Sequence, residues 1–520
     1  MRVAVPAYGL RPPDMLLPSC PASTATQPRF ECRETRSPRS RCSSSDSAWH
    51  FLITRHSALS PSSFRDTAVF RARCIINAMR RVCGRSSAVT HGGCFDMKNR
   101  RLIIVFVTFA LLLTLGVVQA QDATVVQIFF PIAVDSPVTE ILNGYAEAYE
   151  AEHSGVDIQW SFEGGYADVK NRLLTVKEGG GDLPALAIML ATDIYDLVNA
   201  EAVQSWDAFA SDEYLADFTP TWLSNSYYDY DGDGTGELYG LPFQRSTVLL
   251  YYNADLLDEA GLSVPANWDE LASAAQALTT DAREGILIPN SWPYWVFQPF
   301  AAGAGQNIVS ESDVDVFFDN EGVISALQYW VDLYQVYGAT PDGVQDNWGD
   351  APGLFADGAA AMIVHSSGSL RSILSNADFT VGVSGVPGKD GGSYTVTGGG
   401  NLYLVAGIDD ATAQAAWDFV QWLTEPAQTV DWSIQTGYYN TRDSGFELDA
   451  WKEYAEANPQ VDESRAMLDS AVREFSVQSL GDVRNVLHTQ ILAVLNGETD
   501  PAAAMAAAQE GADAILAIFK

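Results

Sequence analysis

The chain has 520 residues, with 30 Lys plus Arg against 66 Asp plus Glu and a formal net charge of −36 at pH 7. The charge is unevenly spread: residues 1–96 hold 14 Arg, no Lys and 6 acids, a net of +8, whereas residues 121–520 hold 13 basic residues against 60 acids, a net of −47. A nucleic-acid partner is excluded, because that field repels a polyanion and no basic stripe overcomes it; the acidity reads as a solvated surface suited to salty external water.

Residues 1–96 also carry all six cysteines (Cys20, Cys32, Cys42, Cys74, Cys83 and Cys94), at spacings that match no zinc pattern. Arginine without lysine, among scattered Ser, Pro and Cys, reads like upstream sequence translated in frame from a mis-assigned start; a disordered basic leader is the alternative. This stretch is left out of the fold argument. At Met97 a secretory signal begins. Lys98, Arg100 and Arg101 supply a positive start, Leu102 to Val118 an apolar stretch, and Val118-Gln119-Ala120 small residues at the two positions a signal peptidase reads. The expectation is an exported protein, periplasmic or extracellular, starting near Gln121. The apolar stretch is shorter than the roughly 20 residues that span a bilayer, and an uncleaved anchor is the alternative. Residues 121–520 contain no cysteine, so no disulfide staple and no lipid-modified cysteine is expected, and 400 residues can bury cores for two domains.

From Thr124 strand and helix alternate. Thr124 to Phe130 is an apolar strand, and Ser136-Pro137 reads as N-cap and first helical position before apolar residues at helical spacing (Val138, Ile141, Leu142, Tyr145, Tyr149). Val156 to Phe162 is a second strand, Gly164-Gly165-Tyr166 opens a helix through Leu173, and Ala185 to Leu190 is a third strand. This βαβαβ pattern predicts an α/β fold with a parallel sheet and helices on both faces, its ligand near Pro131, Gly164 to Asp168 and Ala191 to Asp193, beyond the strands' carboxyl ends. Leu238 to Phe243 and Ser246 to Tyr252 form a Pro-containing extended segment suited to a hinge between lobes. Then come helix Trp268 to Leu278, the aromatic cluster Trp292-Pro293-Tyr294-Trp295, helix Ile324 to Tyr337, a Gly398-Gly399-Gly400 turn into strand Leu402 to Ala406, and helices Ala413 to Leu423, Arg484 to Leu495 and Pro501 to Ile518.

Several blocks stand in a telling order: Tyr239-Gly240-Leu241-Pro242-Phe243, Leu250-Tyr251-Tyr252-Asn253, Ala360-Ala361-Met362, Ser366 to Leu370, Thr436-Gly437-Tyr438, Arg484, and Asn496-Gly497 running to Pro501. Together they resemble family 1 extracellular solute-binding proteins of ABC importers, over essentially all of residues 124–518. The resemblance implies a two-lobed periplasmic-binding-protein-like fold of type II, a hinge, a small solute held between the lobes, and ABC permease subunits in the membrane as partners. Lobe 1 is expected over 121–242 and 383–440, lobe 2 over 243–382 and 441–520. No cofactor or metal and no enzymatic activity are implied, and a monomer is expected.

Carried over from members that bind glycerol-3-phosphate, the ligand contacts fall on Tyr166, Ser246, Trp292, Ser366, Gly399, Tyr438 and Arg484. Each has a physical sense: Trp292 offers a face for a sugar to stack on, Ser246 and Ser366 offer hydroxyls, Gly399 lets backbone approach closely, and Arg484 is a fork for an anion. Two departures stand against a glycerol phosphate ligand. A glutamate those members use falls at Ala191, with Asp193 the nearest acid, and their Trp-His pair after the first strand is Phe130-Pro131. Arg245 beside Ser246 adds a second cation. The expected solute is therefore a sugar, oligosaccharide or polyol, with glycerol-3-phosphate or a glycerophosphodiester as the alternative.

Blander readings stand beside these. The aromatics from Trp292 to Trp295 fit ordinary core packing, and Arg484 fits a pair with a surface acid. Asp229 to Gly234 copies the first half of a calcium loop, but its twelfth position is Gly240 rather than Glu, so an acidic hairpin turn is the preferred reading. A secreted glycoside hydrolase needs only paired carboxylates, which 60 acids do not exclude; no nucleophile elbow, HExxH or Cys/His dyad is present.

Overall fold

The computed structural model describes residues 123–520 apart from 133–136, Asp231, Ser291 and Asp346. The leader, the signal segment, its cleavage point and Ser136 lie outside the described residues. Strand β1 (Thr124–Phe130) is followed by helix α1 (Val138–Glu152), strand β2 (Val156–Phe162), helix α2 (Tyr166–Gly179) and strand β3 (Leu186–Leu190). β1 pairs in parallel with both β2 and β3, as the βαβαβ pattern predicts. Helix α1 opens one residue later than expected, with Pro137 as its N-cap and Val138 first in the helix.

Two long strands join the lobes: β4 (Gly240–Asn253) and, after helices α3 (Trp268–Leu278), α4 (Pro293–Gly303) and α5 (Glu321–Gln335) and strands β5 (Met362–Ser366) and β6 (Val381–Ser384), strand β7 (Ser393–Val405). The sheet order is β2-β1-β3-β7-β4-β5, with β6 also paired to β4. Beyond β3 every one of these pairings is antiparallel, so the sheet is mixed. Helices α6 (Asp410–Leu423), α7 (Pro426–Thr436), α8 (Leu480–Leu495) and α9 (Pro501–Leu516) complete the elements used below. Asp409 caps α6 on the amides of Ala411 and Thr412, and Asp500 caps α9 on Ala503 with Pro501 at N1, each cap contributing about 1 kcal/mol.

Side-chain alternation along the strands splits each lobe's core onto two faces. In lobe 1, Val126, Ile128 and Phe130 of β1 with Leu402 and Leu404 of β7 pack on one face, while Phe129, Tyr403 and Val405 pack on the other. In lobe 2, Val248 and Leu250 of β4 face the core built on α3, α4, α8 and α9, whereas Leu249 and Tyr251 face the core around Ile363, Ile373 and Trp451. Both β4 and β7 therefore feed both lobes: Leu241 and Phe243 belong to the first lobe's core and Val248 to the second's, and Leu402 and Val396 divide in the same way.

At the crossing, Gly398, Gly399 and Gly400 face Ser246, Arg245 and Gln244. The expected glycine turn is thus corrected: the three glycines lie inside β7, which is irregular only between Gly400 and Asn401. They are needed for approach rather than reversal. A Cβ on Gly399, which has φ 92°, would meet the Gln244 carbonyl oxygen at 2.0 Å, and one on Gly398 would meet the Trp295 ring at 2.4 Å. Asp229, Tyr230 and Gly232 to Gly234 lie between the paired strands Tyr227–Tyr228 and Glu237–Leu238, with Gly232 and Gly234 at positive φ.

Candidate functional site

Between the lobes lies a cavity of about 240 Å³. Lobe 1 contributes Ile132, Tyr166 at the start of α2, Leu190 at the end of β3, and Tyr438. Lobe 2 contributes Trp292, Tyr294 and Trp295 at the start of α4, Trp348, and Ser366 at the end of β5. The floor is the strand crossing, with Ser246, Gly398, Gly399 and Glu474. Six of the seven expected contacts therefore line one cavity. The seventh, Arg484, does not line it. Its guanidinium carbon lies 5.4 Å from the Trp292 ring centroid and 5.7 Å from that of Tyr294, so it stands behind the aromatic wall. It makes no ion pair within 4.0 Å among the described residues, and its buried Nη1 has no hydrogen-bond partner.

Local sequence explains the wall. Pro293 at N1 starts α4 and sets Trp292 just before it, where its ring packs on the edges of both lobes' cores. The Trp295 indole N–H donates to the Thr397 carbonyl at 2.9 Å, pinning the ring against Gly398, and Trp348 lies 5.9 Å from Trp295. Trp348 in turn stacks on His365 at 4.1 Å. His365 Nε2 is 2.9 Å from the Trp348 carbonyl, which can only accept, so Nε2 carries the proton and Nδ1 accepts from Ser369. Burial holds His365 down at about 4 and His488, stacked on Tyr294, at about 3, so both are neutral. Tyr438 stacks on Trp432 at 5.8 Å and 7°, and Gly437 at φ 93° ends α7 and delivers it. Ser366 Oγ accepts from the Gly368 amide at 3.0 Å.

The floor is charged. Arg245, fully buried, donates to the Gly399 carbonyl at 3.3 Å and to Glu474 Oε2 at 3.5 Å, and packs over Trp222. It does not line the cavity, and its pairing removes it as a free anchor for an anion. Glu474 Oε2 also accepts from Asn225 at 3.2 Å and Thr397 at 3.3 Å. Burial pushes the Glu474 carboxyl up to about 7 against the opposing pull of Arg245 and these hydrogen bonds, and burial lowers Arg245 despite Glu474. Asp193, the acid nearest to Ala191, does not line the cavity: it binds Lys170 at 2.7 Å, with Asp196 at 3.1 Å from the same ammonium.

Comparison with known proteins gives this cleft a family. The family described as bacterial extracellular solute-binding protein matches residues 144–459, more than half of the chain. The chain belongs to that family. Among curated relatives, the sn-glycerol-3-phosphate-binding periplasmic protein UgpB of Pectobacterium atrosepticum is 26% identical over 77% of this chain and 93% of its own length. UgpB of Yersinia enterocolitica is likewise 26% identical, over 77% and 95%. Among solved structures, UgpB from Mycobacterium tuberculosis in complex with glycerophosphocholine (19% identity, TM-score 0.68, covering 76% of this chain and 99% of that one) shares the fold. So do the GacH receptor of Streptomyces glaucescens, solved unliganded and with acarbose (23%, 0.68, 77% and 100%), and maltose-bound T. maritima MalE3 (20%, 0.68, 75% and 100%).

In this solute-binding protein, sequence reasoning missed Glu474 and Trp348. Neither sits in a recognisable block. Glu474 is one acid among 60 between Arg473 and Phe475, and nothing local marks it as facing a cavity. Among the described residues no helix is long and apolar enough to cross a membrane.

Proposed function

We propose that the chain is the exported capture component of an ABC importer, closing its two lobes on a neutral sugar, oligosaccharide or polyol and handing it to a membrane permease. One observation carries the reading: six aromatic rings (Tyr166, Trp292, Tyr294, Trp295, Trp348, Tyr438) wall the cavity, and among the described residues the one charged side chain lining it is a carboxylate. Aromatic faces suit the C–H faces of a sugar, and a carboxylate accepts from hydroxyls and repels anions. Fold neighbours at 20–23% identity were solved with maltose and with acarbose bound, in keeping with this reading. Tyr166, Ser246, Trp292, Ser366, Gly399 and Tyr438 would touch the solute, with Arg484 supporting Trp292 from behind.

A second reading, glycerol-3-phosphate or a glycerophosphodiester, is favoured by the names of the sequence relatives and by Arg484, whose Nη1 is unpartnered. A glycoside hydrolase has less support, because it needs two carboxyl groups about 5–9.5 Å apart and, among the described residues, Glu474 is the one acid lining the cavity. The lobe bounds 121–242 with 383–440 and 243–382 with 441–520, apart from strands β4 and β7 that run through both lobes, a signal peptide over 97–120, and a monomer in solution complete the proposal. Calorimetry with maltose, trehalose, ribitol, glycerol-3-phosphate and glycerophosphocholine tests it: heat from a neutral ligand supports the main reading, heat from the phosphate esters alone the second. Turnover of a glycoside would point to the enzyme.

A further inference from the structure

The floor of the cavity holds a buried ion pair. Arg245 and Glu474 are both essentially inaccessible and meet at 3.5 Å, and Arg245 Nε has no partner. A buried pair of this kind is weak evidence for stability, since taking both charges out of water offsets much of their attraction. Its position is informative. Arg245 reaches the floor through the backbone of Gly399, which lines the cavity, and Glu474 lines the cavity itself. All three hydrogen bonds from Asn225, Arg245 and Thr397 go to Oε2, so Oε1 is the oxygen not held by them.

We propose that Glu474 is a charge filter: it masks Arg245 at the floor of the cavity, accepts a hydroxyl of a neutral solute and turns away anionic ones. This rests on the carbohydrate reading above and goes beyond it by naming the residue that sets ligand charge. With Glu474 ionised, the floor is neutral overall and presents an acceptor to the solute. With Glu474 neutralised, Arg245 is left without a counter-charge and the floor becomes attractive to a sulfate or phosphate ester. Specificity of this sort needs a repulsive element as well as an attractive one, and the carboxylate supplies both.

The filter should respond to pH. The groups facing Glu474 are Arg245 on β4, Tyr166 on α2, Tyr294 on α4 and Tyr403 on β7. Burial raises all three tyrosines well above their usual value, Tyr294 to about 12, so they stay neutral, and Arg245 stays charged. His365 and His488, held at about 4 and about 3, titrate below the relevant range. Among the described groups facing it, only Glu474 itself, at about 7, changes charge near neutrality.

The test is calorimetry on the wild-type protein and Glu474→Gln, using maltose, trehalose and ribitol, each beside its monosulfate ester, whose charge is constant from about pH 5 to about pH 9. At about pH 8.5 wild type should bind a neutral member and reject its sulfate. Glu474→Gln should weaken the neutral ligand about tenfold, the loss of a charge-assisted hydrogen bond, and gain binding of the sulfate. Lowering wild type to about pH 5.5 should move it the same way. Sulfate esters binding wild type at about pH 8.5 as tightly as the neutral ligands would overturn the filter, as would a variant that changes neither affinity. If no neutral ligand binds wild type, the carbohydrate reading fails by itself; the sulfate arm still decides the filter, a gain supporting it and no gain overturning it. If Glu474→Gln does not fold, the wild-type pH series decides in the same terms.

Discussion

The floor of the cavity and its lobe 2 wall both hold buried ionisable side chains, yet they handle charge in opposite ways. At the floor, Arg245 and Glu474 remain a charged pair although burial drives each towards its neutral form, Glu474 up to about 7 and Arg245 downwards. At the wall, His365 and His488 have given up their charge, at about 4 and about 3, and serve as neutral rings against Trp348 and Tyr294. The difference divides the work. The wall supplies shape and stacking surface that stay constant above mildly acid pH, whereas the floor supplies the one charged side chain that lines the cavity among the described residues, set to change near neutrality.

Removing that charge outright should have the largest effect. Glu474→Ala leaves Arg245 buried without a counter-ion and should cost about 3–5 kcal/mol of stability in denaturant unfolding; a loss within experimental error would mean that solvent reaches the floor. Next is acid. His365 and His488 bind protons more readily unfolded than folded, because their folded values lie below the usual 6.5. Stability from them is therefore complete above about 6.5 and is lost as pH falls towards about 4, on the order of 3 kcal/mol for His365 at 1.36 kcal/mol per unit. Glu474 contributes with the opposite sign, since its folded value is raised: its share falls as pH rises from about 4.5 to about 7. Unfolding midpoints of wild type and Glu474→Gln across that range should differ in slope, and parallel curves would erase the contrast between floor and wall.

Ligand affinity gives smaller numbers. Trp292→Ala removes the ring that touches both lobes' cores and should cost about 2 kcal/mol or more of neutral-sugar binding, read by calorimetry. Arg484→Ala acts through the Trp292 and Tyr294 rings it lies against and should cost less than about 1 kcal/mol for the same ligand. A phosphate ester held directly by Arg484 would instead lose about 2–5 kcal/mol, which would move the ligand's anchor from floor to wall.

Much of the architecture was legible because it is local. β1, β2 and α3 match their expected spans residue for residue, since period-two and period-3.6 apolar patterns declare themselves within a few residues. The glycine run at 398–400 misled, because glycine signals positive φ and close approach equally, and only the facing β4 strand and Trp295 reveal which is meant. The same limit applies to charge. Arg484 and Arg245 were both visible as cations, but whether each is available depends on Glu474, 229 residues from Arg245, and on rings from α4. Pairing across such a distance leaves no trace in spacing.

The central claim, capture of a neutral solute by an aromatic cleft, is tested most directly by titrating the purified protein near pH 8 with maltose, trehalose and ribitol in parallel with glycerol-3-phosphate. The account predicts saturable heat from at least one neutral ligand and none from glycerol-3-phosphate. Saturable binding of glycerol-3-phosphate with all three neutral ligands silent would contradict it.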